Sequence, residues 1–267
     1  MNENETDGVL LVDKPAGVTS HDVVARERRR LERGAKVGSA GTLEPFAIGL
    51  LLVLVGRATR VQRWLMGLPK AYLTVARLGY TSTTGDLDGI VSPGRTPPEP
   101  LALPTGRLLQ RPPAYSAVKV GGRRAYALAR AGEEVELAPR ELTVSRFELL
   151  GRDGERARFA IECSSGTYVR SLVMDLGDAY CLELRRTAIG PFDIEDSGRF
   201  VALRDALDFI PAVALGAEEA RRAAHGVAIG AHPPAEGVVR LTDAEGLIAL
   251  AEPREGGVLK PIVGFRG

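Results

Sequence analysis

Glu44 is the residue of this chain best placed to do chemistry. It is an acid presented between a glycine-rich approach and an apolar run, in Lys36 to Leu50, KVGSAGTLEPFAIGL. Gly38 and Gly41 let the backbone turn tightly or approach a ligand, and Pro45 restricts Glu44 to extended conformations, so the carboxylate is offered from a fixed loop. A carboxylate held this way can act as a nucleophile or a base. Taken alone, the stretch also suits a surface turn with a solvated glutamate. Two further residues suit a site around an acid. Arg170, in SSGTYVRSLVMD, is a natural partner for a buried carboxylate or else a surface helix arginine, and Tyr72, in KAYLTVARLGY, can stack on a base or stand as an ordinary strand tyrosine.

The elements that must position these groups follow in order. Gly8 to Asp13 reads as a buried strand entering a loop at Lys14-Pro15. Thr19 or Ser20 can cap a helix over His21 to Arg33, whose Arg26, Arg28, Arg29, Arg30 and Arg33 could meet phosphates or form a solvated face. Phe46 to Val55 is an apolar anchor behind Glu44, and Ala58 to Met66 continues as helix. Lys70 to Tyr80 alternates as a strand with Tyr72, Thr74, Ala76 and Leu78 on one face, before a polar loop over Thr81 to Gly89. Pro93 to Pro104 reads as an extended surface connection.

Beyond Pro112-Pro113 the pattern predicts a strand over Tyr115 to Val120, a turn at Gly121-Gly122 and a short helix over Arg123 to Ala131. Arg123, Arg124 and Arg130 interleaved with Tyr115 and Tyr126 suit a flap, about 110–140, that faces RNA. Glu141 to Leu150 and Arg156 to Cys163 flank Asp153-Gly154 as a hairpin. Gly166-Thr167 then opens a helix with Arg170 on its first turns. Leu182 to Pro191 reads as a strand with Arg185 and Arg186, and Val201 to Phe209 as a helix. After a boundary near Pro211 come a helix over Ala217 to Ala224 and three short strands, Val238 to Leu241, Leu247 to Ala251 and Val258 to Val263.

Composition sets bounds. The 267 residues suit one large domain, or one with a small appendage. Net charge is only +1, so contact with nucleic acid must come from local patches. Arginine outnumbers lysine 30 to 5, which favours forked phosphate contacts, though coding bias gives the same ratio. Cys163 and Cys181 read as reduced thiols, and with a polar, acidic N-terminus they suit the cytoplasm. Phe46 to Val55 is too short to span a bilayer. His21, His225 and His232 lack ligand spacing with the cysteines, so no metal is expected.

Six ordered blocks over about residues 8 to 210 resemble the bacterial tRNA pseudouridine synthases of the TruB family: GVLLVDKPAGVTSHDVV, KVGSAGTLEPFAIGLLLVLVGRATR, KAYLTVARLGYTSTTGDLDG, QRPPAYSAVKVGGRRAY, CSSGTYVRSLVMDLG and ELRRTAIGPF. The resemblance implies a mixed α/β (α+β) catalytic domain over 1–210 with a central antiparallel sheet, and a reduced PUA-like RNA-binding module over 211–267. It implies conversion of the uridine at position 55 in the T loop of tRNA to pseudouridine, without a cofactor, a membrane or an obligatory protein partner.

Carried over by position, the resemblance makes Glu44 the catalytic carboxylate, Tyr72 the active-site tyrosine and Arg170 the carboxylate's partner. Lys14 and Pro15 match the first motif. Lys14, Pro15, Ser39, Lys70, Tyr115, Arg123, Arg124 and Arg130 are the expected RNA-binding set. In the implied mechanism an ionised carboxylate acts at C1′ of the sugar or removes a proton from C2′ while the glycosidic bond breaks. Tyr72 stacks under the flipped uracil, and a proton can pass through it. Two positions depart from the family: Glu44 stands where it has aspartate, and Ser39 where it has a histidine that fills the gap left by the flipped base. The extra methylene extends the carboxylate by roughly 1.5 Å. Glu44→Asp is then expected to restore the family's reach, and a tRNA-binding or refolding protein with little chemistry is the alternative reading.

Overall fold

In a computed structural model, residues 7–266 are described except 32, 33, 114, 117, 134, 136, 231 and 233–235. The strand Ile48–Val55 explains why its sequence, IGLLLVLV, is apolar without alternation: both of its faces are covered. Leu50, Leu52 and Leu54 enter one core with Val9, Leu11, Leu65 and Phe192, whereas Leu51 and Val53 meet Val12, Val23 and Val24 on the other side. The helix Ser20–Arg30 supplies that second cover. Its start is fixed by a capping box, in which Asp22 N donates to Thr19 Oγ1 (3.1 Å) and Thr19 N donates to Asp22 Oδ2 (2.8 Å). It ends at Arg30, so Arg33 lies outside both the helix and the described residues.

Ile48–Val55 lies near one end of a ten-stranded sheet among the described residues. From one edge the strands run Phe200–Ala202, Gly8–Lys14, Ile48–Val55, Ala179–Ile189, Lys70–Leu78, Arg156–Cys163, Arg140–Asp153 and Gly106–Gln110. Val37–Ala40 pairs beside Ile48–Val55, and Phe192–Asp193 beside Ala179–Ile189. All of these pairings are antiparallel except that of Ile48–Val55 with Ala179–Ile189. The hairpin at Asp153-Gly154 forms as the sequence indicates, with Gly154 at φ 56°.

Two segments differ from the sequence pattern. Phe200–Ala202 is a strand, because the exposed edge of Gly8–Leu10 takes it into the ladder, and only Leu203–Ala206 is helical. Tyr115 is not in a strand. Only Lys119–Val120 pairs, with Arg123–Arg124, across Gly121-Gly122, and the helix there is Ala125–Arg130.

A second sheet follows, in the order Ala212–Ala214, Val239–Asp243, Gly246–Arg254 and Val258–Gly264, with the helix Ala217–Ala224 against it. It is seated on the large sheet. Leu250 and Phe265 join the core of Leu54 and Leu65, and Arg57 bonds both Asp7 and the Phe265 carbonyl. Among the described residues, no helix is long and apolar enough to cross a membrane.

One glycine carries the close approach at the parallel pair. Gly49 sits at φ +108° opposite Arg186, and a Cβ there would lie 2.2 Å from the Arg186 carbonyl oxygen. Gly49→Ala is therefore expected to destabilise the protein by at least about 1–2 kcal/mol for the left-handed conformation alone, with the clash adding to it. Chemical denaturation checks this: an unchanged midpoint would refute the close approach.

Candidate active site

Glu44 lies in the loop between Val37–Ala40 and Ile48–Val55. The loop is pinned on both sides of the acid. Leu43 N donates to Ser20 Oγ (2.9 Å), and the Pro45 carbonyl accepts from Gly17 N (2.8 Å) and Lys14 Nζ (3.4 Å). Arg170 opens the helix Val169–Met174 directly after the strand Arg156–Cys163 and its turn, and it is 3% exposed. Gln110 holds that entry, since its amide bonds both N (2.8 Å) and O (3.0 Å) of Tyr168.

The Arg170 guanidinium joins three chain segments. Nη2 donates to Glu44 Oε1 (3.0 Å) and to the Tyr115 carbonyl (2.9 Å), while Nη1 donates to Asp86 Oδ2 (2.9 Å) and to the Thr84 carbonyl (2.7 Å). Asp86 is 3% exposed and is held further by Thr84 Oγ1 and by its bond from Asp88 N (3.0 Å). The Glu44 side chain keeps 31% exposure, so the carboxylate has a fixed cationic partner on one side and an open face on the other. That combination fits an acid that must meet a substrate.

Tyr72 is half-buried, on the strand Lys70–Leu78. Burial pushes its phenol up to about 12, opposed chiefly by the Arg186 charge, with the Cys163 thiol and Glu44 adding smaller pushes upward. It therefore stands as a neutral phenol, a donor rather than a base, in the free protein. Arg186, 2% exposed, faces it across the ladder.

Residues 28–169 match the family model described as the TruB family pseudouridylate synthase N-terminal domain. A tRNA pseudouridine synthase B of Thermobifida fusca is 43% identical, with 98% of this chain and 99% of that protein covered. The chain belongs to the TruB family. A tRNA pseudouridine synthase B of Rhodococcus jostii is 50% identical over 70% of this chain and 67% of its own length. Among solved structures, a chain of an H/ACA RNP bound to a substrate RNA containing 2′-deoxyuridine superposes with TM-score 0.71 at 22% identity, covering 99% of this chain and 86% of that one. A chain of a Cbf5-Nop10-Gar1 complex gives 0.68 at 26% identity, with 95% and 80% covered. The solved structures share its fold, and the family model and the relatives make it a pseudouridine synthase, an isomerase.

The candidate site brings together Glu44, Arg170 and the main chain of Tyr115, with Tyr72 beside them. Two expected RNA contacts are corrected. Lys14 is fully buried and its ammonium donates to the carbonyls of Pro15 (3.0 Å), Val18 (2.8 Å) and Pro45, while Lys70, 8% exposed, is turned onto the carbonyls of Met66 and Leu68. Both lysines tie loops together instead of reaching for phosphate, because buried carbonyls there need donors. Pro15, next to Lys14 in the chain, is exposed.

Ser39 is half-buried on Val37–Ala40, its carbonyl accepting from Gln62 Nε2 (2.6 Å). Arg123 is exposed and paired with Glu133 (2.9 Å); Arg124 and Arg130 belong to the neighbouring strand and helix, and their side chains lie outside the described ones. Of the helix arginines, Arg26 and Arg30 pair with Glu27 and Arg28 bonds the Val37 carbonyl.

Sequence reasoning missed Asp86 and Arg186. Thr81 to Gly89 is visible only as a polar loop, and nothing local marks which of Asp86 and Asp88 turns inward. Arg186 had a signal: two successive arginines on a strand face opposite sides, so one must point inward. Arg185 is the outer one and pairs with Asp13 (2.7 Å). Among the described residues no group of three or more His, Cys, Asp or Glu is placed to hold a metal.

The buried groups give a stability profile in alkali. Burial lowers Lys14 and Lys70 from 10.5 to about 8, so each gains stability as pH rises from 8 toward 10.5, where the unfolded chain still holds the proton. Burial raises Cys163 to about 11, Cys181 to about 12 and Tyr72 to about 12, so each loses stability once pH passes 9 for the thiols and 10 for the phenol. Resistance to denaturant is expected to rise from pH 8 to 9, level off near 9–10 and fall above it. A monotonic fall from pH 8 would mean that the lysines are not buried as cations.

Proposed function

We propose that the protein converts the uridine at position 55 in the T loop of tRNA to pseudouridine, using Glu44, Tyr72 and Arg170 as its working groups. The observation that carries the reading is the Glu44–Arg170–Asp86 chain of charges, which aims one half-open carboxylate beside Tyr72. The relatives named tRNA pseudouridine synthase B support the choice of substrate. In the pocket the uridine is turned out of its stack, with Tyr72 against the base. Glu44 acts at the ribose, at C1′ or on the C2′ proton, while the bond from C1′ to N1 breaks. The uracil turns, C5 bonds to C1′, and N1 ends with a proton in place of the one C5 loses. Reactant and product are isomers, so no co-reactant is required.

Residues 211–267 act in this reading as a reduced PUA-like RNA-binding module, and the flap over about 110–140 faces the T arm. Where each of Arg123, Arg124 and Arg130 meets a phosphate, its replacement by alanine flattens the slope of log K against log salt by about 0.7 to 0.9. A triple variant with the parent's affinity and slope would remove the flap from the interface. The deciding experiment incubates the protein with unmodified tRNA and maps pseudouridine in the T loop. Product at position 55 is expected; tight binding without product under excess protein would leave tRNA binding or refolding as the function.

A further inference from the structure

Arg186 is a buried cation without an anion. Among the described residues no carboxylate pairs with it, and it shares its surroundings with Lys14 and Lys70, each of which its charge disfavours. Two of its three nitrogens are accounted for. Nε donates to the Leu50 carbonyl (2.7 Å) and Nη1 to the Thr42 carbonyl (3.3 Å), positions that bracket Glu44 in the chain. Nη2 is buried and meets no acceptor in full hydrogen-bond geometry. Arg186 lies directly opposite Tyr72 in the antiparallel ladder and acts on the phenol through its charge and, more weakly, as a side-chain hydrogen-bond donor.

Two carbonyls can be satisfied by a neutral amide, so a guanidinium kept at the cost of burying its charge suits a second task. Breaking the bond from C1′ to N1 leaves the uracil electron-rich, and a cation behind a donor would stabilise that charge. We infer that Arg186 is a positioning residue of the reaction: it holds both ends of the Glu44 loop, and through Nη2 it donates to the Tyr72 hydroxyl oxygen. The phenolic proton then points away from Arg186, toward the base. This rests on the reading that Glu44 and Tyr72 work on a uridine. Lysine cannot replace the fork, because one ammonium does not present three nitrogens in a plane.

The test measures single-turnover rate and affinity on a T-arm stem-loop for the parent, Arg186→Lys, Tyr72→Phe and the double variant. Arg186→Lys is expected to slow the reaction about 100-fold through misplacement, with affinity within a few-fold of the parent. In the Tyr72→Phe background it should cost at least five times less, since one of its two tasks is gone. Full multiplication of the two single effects would overturn the inference. Should Arg186→Lys fail to fold, nitrogen NMR of the guanidinium groups in the parent and in Tyr72→Phe decides without turnover. Loss of the phenol should shift the Arg186 signals and free the rotation of Nη2, and unchanged signals would overturn the contact. Absence of product with the parent would refute the proposed reaction, whereas the NMR comparison would still judge the link between Arg186 and Tyr72.

Discussion

Arg170→Ala is expected to remove pseudouridine formation and to lower stability by about 3–5 kcal/mol, the usual cost of breaking a buried ion pair by deleting one partner. Four acceptors lose their donor at once: Glu44, Asp86 and the carbonyls of Thr84 and Tyr115. Asp86 suffers most, because it is left charged at 3% exposure. Arg170→Lys should recover little, since a single ammonium cannot span acceptors on three segments. Asp86→Asn keeps the shape and should fall between the parent and Arg170→Ala in rate. Binding of tRNA should survive in all three, because Arg170 is 3% exposed and offers no surface to phosphate. Denaturant titration, single-turnover rate and filter binding separate these effects. An Arg170→Ala protein with normal turnover would remove Arg170 from the site.

Much of this arrangement can be read in the sequence, and what cannot has a common cause. Glu44 and Arg170 lie 126 residues apart, and only the matching blocks bring them together before the fold does. The apolar strand behind Glu44 and the hairpin at Asp153-Gly154 are local patterns, so they are legible. A charge's direction is not local. Lys14 and Lys70 look like phosphate contacts until carbonyls from neighbouring loops are seen to claim them. Asp86 and Asp88 are indistinguishable in a polar loop until Arg170 selects one. The strand at Phe200–Ala202 is hidden for the same reason, because its pairing edge is supplied by residues 8–10.

Glu44→Asp is expected to slow the reaction about 100-fold, by the cost of a misplacement of about 1 Å. The sequence alone suggests the opposite, since aspartate is the residue of the resembling family. The geometry changes the direction. Glu44 already meets Arg170 at 3.0 Å, and removing one methylene withdraws the carboxylate by roughly 1.5 Å, beyond hydrogen-bond range. The loop cannot easily follow, because Leu43 and Pro45 are tied to Ser20, Gly17 and Lys14. Affinity for tRNA should hardly change, as the charge is kept. Ser39→His addresses a separate step. Filling the gap left by the flipped base should help by about 1–3 kcal/mol, the worth of one base–aromatic stack, on folded tRNA, and by less on an isolated stem-loop that opens easily. On this argument Ser39→His alone gives the fastest protein on folded tRNA, and adding Glu44→Asp slows it. A Glu44→Asp protein faster than the parent would mean that the 41–47 loop moves on binding RNA and that the free structure understates the reach of the acid.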